Sequence, residues 1–104
     1  MTEESEPLPE IIFQPEAEAE ITEAFRWYED KNEGLGSEFM RALDASLSSI
    51  QRNPTAYAAV HKQMRRAVLR RFPYSVIYLF DTGRIVVLAC FHASRDPQQW
   101  RDRA

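Results

Sequence analysis

Apolar residues recur with helical spacing through the first half of the chain. Ala17, Ile21, Ala24, Phe25 and Tyr28 fall at i, i+4, i+7, i+8 and i+11. That stripe predicts an amphipathic helix over 16–31. Pro15 suits its first turn, where a missing N–H costs nothing. Glu16, Glu18 and Glu20 follow, where negative charge favours a helix N-terminus. Phe39, Leu43, Leu47 and Ile50 fall at i, i+4, i+8 and i+11 and predict a second helix over 37–52. The glycine-containing stretch 32–36 separates the two. Asn53-Pro54 ends the second, because a residue before proline disfavours the α region. Two helices joined by so short a break form an antiparallel hairpin.

The period then changes to two. Phe72, Tyr74, Val76, Tyr78 and Phe80 share one face of a strand. Pro73 interrupts the ladder, so two strands, 63–71 and 73–81, meet at a bulge or tight bend near Phe72-Pro73. A turn containing Gly83 leads into a third strand, 84–92, which is apolar on both faces and so belongs in a covered or central position. Residues 10–14 read as a first strand and 55–62 as a connection. Asp96-Pro97 starts a short C-terminal helix over 98–103. The pattern predicts an α+β domain in the order β-α-α-β-β-β, with the helical hairpin packed on one face of a small antiparallel sheet. Its core should hold Ile21, Phe25, Phe39, Leu43, Leu47, Ile50, Val76, Tyr78, Val87 and Ala89. Part of the other face should stay open.

The 104 residues suit one domain, here 10–104, behind a disordered arm over 1–9 rich in proline and glutamate. A single cysteine, Cys90, excludes an internal disulfide and reads as a core side chain. No apolar run reaches the length of a membrane span, and the acidic N-terminus is no signal peptide, so the cytoplasm is the expected location. The net charge of −3 hides an asymmetry. Residues 1–60 carry thirteen acidic and four basic side chains, and residues 61–104 carry three and nine. The C-terminal half should therefore face something anionic: nucleic acid, an acidic protein segment, or the chain's own helices.

Three stretches carry a family resemblance: Ala24-Phe25-Arg26-Trp27-Tyr28-Glu29 with Gly34-Leu35-Gly36; Arg65-Arg66 with Phe72-Pro73-Tyr74-Ser75-Val76-Ile77-Tyr78; and His92-Ala93-Ser94-Arg95-Asp96-Pro97-Gln98-Gln99-Trp100. In this order the chain resembles the RelE/ParE toxins of bacterial type II toxin–antitoxin systems, the ParE-like branch in particular. The resemblance implies a cytoplasmic, growth-inhibiting toxin without a cofactor or metal. It also implies neutralisation by a cognate antitoxin, through an acidic, partly helical segment in a hetero-oligomer. ParE-like members inhibit DNA gyrase and have no known hydrolytic site. RelE-like members cut mRNA on the ribosome. A degenerate, non-toxic module that only binds antitoxin is a third reading.

Individual residues separate these readings. Metal-free RNA cleavage needs a base, cations for the phosphate charge and an acid. Matched to the RelE-like nucleases, this chain has Ser75 and Ser94 where they carry arginines, and Trp100 where they carry a C-terminal tyrosine. The match therefore favours the ParE-like reading. A nuclease would have to rest on Arg65, Arg66, His92 and Arg95 instead. His92 also has a structural reading, as a cap on its strand. The residues expected to bind antitoxin or target are Arg65, Arg66, Arg70, Arg71, Arg95 and Trp100, because arginine offers bidentate geometry to carboxylates and phosphates. Glu16, Glu18, Glu20 and Glu23 read as a solvated face.

Overall fold

The computed structural model describes residues 7–104. Most of the expected N-terminal arm, residues 1–6, lies outside the described residues. Pro7 to Pro9 have no regular structure, and the Pro9 carbonyl accepts a hydrogen bond from Gln51 at 3.0 Å. Then follow β1 (Glu10–Phe13), α1 (Pro15–Lys31), α2 (Leu35–Arg52), β2 (Ala59–His61), β3 (Met64–Val68), β4 (Tyr74–Asp81), β5 (Arg84–His92) and α3 (Gln98–Arg101). No helix among the described residues is long and apolar enough to cross a membrane.

The helical hairpin is closed by one carboxylate. Glu29 near the end of α1 accepts the Gly34 N–H at 3.0 Å and the Gly36 N–H at 2.9 Å. It thereby satisfies donors that the first turn of α2 leaves unpaired. Gly34 turns the chain at φ 88°, a conformation glycine adopts at no steric cost. Gly36 lets the helices touch: a Cβ there would lie 2.8 Å from the Phe25 ring. This geometry starts α2 at Leu35, two residues before the predicted boundary.

Five strands form one sheet in the order β1-β5-β4-β3-β2. β3, β4 and β5 form the expected antiparallel meander. β1 joins parallel to β5, pairing Glu10 with Arg84 and Phe13 with Val87, so the sheet is mixed. The 55–62 connection contributes β2, too short at three residues to show a period. β3 stops at Val68 rather than 71. Beyond it the Leu69 N–H bonds to the Tyr74 carbonyl at 2.9 Å, and Arg71 adopts φ 69°.

A bulge divides the core. Ile77 pairs with Ala89 but Tyr78 pairs with Val87, leaving Leu88 unpaired. Val87 and Cys90 consequently face the helices with Phe39, Leu43, Ile50, Val76 and Tyr78. Leu88 and Ala89 face the other way, with Met64, Ile77, Phe91 and Trp100. Of the ten expected core residues, Ile21 and Phe25 are only partly buried; the other eight are buried. Each fully buried large apolar side chain stabilises by about 1.5–3 kcal/mol. The second face is not simply open, because α3 lays Trp100 edge-on to Phe91 with centroids 6.0 Å apart.

Candidate functional site

Folding separates the arginines of the basic stretch. Arg65 lies opposite Tyr78 on the helix side and donates to the Tyr57 carbonyl at 2.6 Å and the Thr55 carbonyl at 3.2 Å. The Tyr78 hydroxyl donates to the Pro54 carbonyl at 2.6 Å. Together these side chains hold the segment after α2 against the sheet. Burial pushes the Tyr78 phenol up to about 12, against the opposing pull of Arg65. Arg66, the next residue along, points to the opposite face and is exposed.

Arg70 and Arg71 lie in the turn past β3. Arg71 meets Glu38 of α2 at 2.8 Å and stands 5.6 Å from the centre of the Phe72 ring. Between this turn and α2 runs a groove of about 450 Å³. Small side chains of α2 line one wall (Ala42, Ala45, Ser46), with Tyr57 and Val68 across from them. Val68 is 63% exposed. Arg41, Arg70, Arg71 and Glu38 complete the lining, and neither Arg41 nor Arg70 has an ion-pair partner among the described residues.

A second recess, about 430 Å³, opens between α1 and the last residues of β5. His92 Nδ1 accepts the Ser94 N–H at 3.0 Å and lies 2.9 Å from Ser94 Oγ. A neutral imidazole held this way carries its proton on Nε2. Arg95 reaches Glu23 at 3.8 Å. The Tyr74 ring stands edge-on to His92 at 5.0 Å. Tyr28 packs on Phe39, Phe72 and Tyr74. Neither tyrosine hydroxyl has a hydrogen-bond partner among the described residues, and burial raises both phenols above their ordinary value. Burial also pushes the Cys90 thiol up to about 12, aided by Glu20, so it stays protonated and unreactive near neutrality.

The set Arg65, Arg66, His92 and Arg95 does not converge. Arg65 pairs with Tyr78 on one flank of β4, and His92 pairs with Tyr74 on the other. Four residues of strand, about 13 Å, separate those levels. Trp100 is 4% exposed and packed into the second core cluster.

Two participants escaped the sequence reading. Glu20, grouped there with solvated acids, has a side chain only 11% exposed. It accepts the Cys90 N–H at 3.0 Å and takes Arg103 in a bidentate pair, both contacts at 3.0 Å. Arg103 also donates to the Leu88 carbonyl at 3.0 Å. No local pattern signals this clasp, whose two members are 83 residues apart in sequence.

The family model of the ParE toxin of type II toxin–antitoxin system, parDE, matches residues 11–97. The chain belongs to the ParE toxin family. A solved structure described as the chromosomal ParDE TA system from P. aeruginosa has the same fold, with a TM-score of 0.71. The two are 13% identical, and the match covers 84% of this chain and 98% of that one. No curated protein sequence matches. Membership makes this chain the toxin component of a type II toxin–antitoxin system. Within this ParE-family fold, Ser75 sits on β4 between Val68 and Phe91, and Ser94 supports His92.

Proposed function

We propose that this ParE-family toxin inhibits DNA gyrase and is neutralised by a cognate antitoxin in a hetero-oligomer. The observation that supports this reading is that, among the described residues, Arg65 and Arg66 on β3 are held apart from His92 and Arg95 by β4. By the resemblance, Ser75 and Ser94 stand where RelE-like nucleases carry arginines and Trp100 where they carry a tyrosine, and Trp100 is buried. Of the remaining candidates, His92 and Arg95 line one recess, while Arg65 and Arg66 lie on β3 across β4 from it. A toxin without that chemistry acts by binding, and gyrase is the target that the ParE-like reading implies.

The groove along α2 is the surface this reading assigns to the antitoxin. Its rim carries three arginines against one glutamate, and Val68 and Tyr57 offer apolar anchors. An acidic, partly helical segment matches both features. Arg66 and Arg95 lie outside the groove, Arg66 exposed on β3 and Arg95 in loose contact with Glu23, and this reading assigns them to the target. Arg65 and Trp100 contribute by holding the elements around them.

Brief expression in cells tests the target. The reading predicts growth arrest with gyrase–DNA cleavage complexes and no codon-phased mRNA ends. Codon-phased cuts that vanish in His92→Ala and Arg95→Ala would establish the ribosome as target. Full growth without antitoxin would identify a degenerate binding module.

A further inference from the structure

The recess beside β5 contains a strand edge that the fold leaves half finished. β1 covers β5 only from Arg84 to Val87, and the last bond runs from the Gln14 N–H to the Val87 carbonyl at 3.0 Å. Beyond it, three contacts fix which backbone groups point to the open side. The Leu88 carbonyl accepts from Arg103, and the Cys90 N–H donates to Glu20. On the opposite side, the Ala93 N–H bonds to the Pro73 carbonyl, so Tyr74 and His92 form a non-hydrogen-bonded pair. The Cys90 carbonyl and the His92 N–H therefore both point away from β4 into the recess. Neither has a backbone partner on that side among the described residues.

Those two groups flank Phe91 at the spacing of a parallel bridge. One residue of an added strand satisfies both, giving its N–H to Cys90 and its carbonyl to His92. The added strand runs parallel to β5, as β1 does. We infer that this recess accepts an extended peptide segment of a protein partner, cationic beside the bridging residue, as a short parallel strand continuing the line of β1.

The surroundings suit that occupant. Tyr28 is 8% exposed, yet its hydroxyl lacks a protein partner and the residue lines the recess. Trp27 is 55% exposed at the recess wall. Side chains flanking the bridging residue point toward α1, by the alternation of a strand. There they meet Glu23, whose side chain is 72% exposed and only loosely held by Arg95 at 3.8 Å. Glu23 and Trp27 lie one turn apart on α1 and both line the recess, whereas Glu20 is already taken by Arg103. The indole already holds one cation: Lys31 Nζ lies 4.7 Å from its ring centre. A lysine beside the bridging residue gains the Glu23 carboxylate, whereas a glutamate or a phosphate meets repulsion from it; Arg95, which also lines the recess, is already turned towards Glu23. The preference is opposite to that of the basic groove, so the occupant is distinct from the acidic segment proposed there. The inference stands on the strand register and does not depend on gyrase as target.

The full chain, labelled with ¹⁵N, tests this by titration to millimolar peptide. The probe is acetylated, amidated Thr-Lys-Val-Lys-Thr, and the Trp27 indole signal is assigned with Trp27→Phe. Saturable shifts of the His92 amide and the Trp27 indole are expected. N-methylation of the central valine removes the N–H that Cys90 accepts and should weaken binding at least about tenfold. The Thr-Glu-Val-Glu-Thr peptide should bind more weakly than the lysine peptide, and Glu23→Gln should erase that difference. Absence of saturable shifts, equal binding of the N-methylated peptide, or a preference for the glutamate peptide would each overturn the inference.

Discussion

The groove along α2 and the recess along α1 have similar volumes but handle charge in opposite ways. In the groove, cations are left available: Arg41 and Arg70 have no ion-pair partner among the described residues, and Arg71 pairs with Glu38 where both side chains are open to solvent, at 68% and 38% exposure. In the recess, the decisive pair is enclosed. Arg103 and Glu20 are 16% and 11% exposed and are tied to backbone groups of β5. An exposed pair contributes little to stability and stays free to exchange partners. An enclosed pair cannot lose one member without stranding the other charge. The groove is thus suited to recognition, and the clasp to holding the edge of the sheet.

The two regions share one support, and the largest effect should come from removing it. Phe39 packs against Tyr28, Phe72 and Tyr74, and so stands between Arg71 on one side and the recess on the other. Phe39→Ala should cost about 3–5 kcal/mol in denaturant unfolding and weaken both surfaces together. If it loosened only one of them, the two would not share a core. Next comes the contrast between the ion pairs. Arg103→Ala should cost about 3 kcal/mol, because Glu20 remains enclosed. Arg71→Ala should cost under about 1 kcal/mol. Equal costs would erase the distinction.

The two regions also differ in how far the sequence discloses them. The arginines of the groove show as the run of Arg70 and Arg71 before Phe72-Pro73, but the pattern puts both in a strand reaching residue 71, whereas β3 ends at Val68 and leaves them in a turn. The helix that completes the groove shows in the spacing of Phe39, Leu43, Leu47 and Ile50. The recess has no such local signal. It depends on β1 ending opposite Val87, on a bulge at Leu88 that reverses the parity of the last strand, and on an arginine 83 residues from its glutamate. The parity rule placed Ala89 in the core but could not show that it faces away from the helices. The four arginines looked alike in sequence. Alternation and an irregular turn sent Arg65 to the helix side, Arg66 to the other face, and Arg70 and Arg71 to the groove.

Alkaline titration extends the contrast to the sheet interior. Folding raises the Tyr78 phenol from 10.0 to about 12 and the Cys90 thiol from 9.0 to about 12. A raised pKa favours the protonated form in the folded state. The associated stability is complete below the unfolded values and is lost as pH rises through the folded ones. Unfolding free energy should therefore fall from about pH 9 towards pH 12. Tyr78→Phe should flatten the upper part of that fall, and an unchanged slope would show that its phenol does not carry the effect.

The smallest structural effect and the sharpest kinetic one fall on the same residues. Arg70→Ala with Arg71→Ala should leave the fold intact while slowing antitoxin association at low salt, because rim charges act mainly through steering that salt screens. Association at the wild-type rate at low salt would remove the groove from antitoxin recognition.

The central proposal is that this toxin works by binding gyrase rather than by cutting RNA. Purified gyrase supercoiling relaxed plasmid tests it most directly, with the toxin added at micromolar concentration. Supercoiling should fall, or cleaved complexes accumulate, and added antitoxin should restore the reaction. Unchanged supercoiling with a folded preparation of a chain that arrests growth in cells would contradict the account.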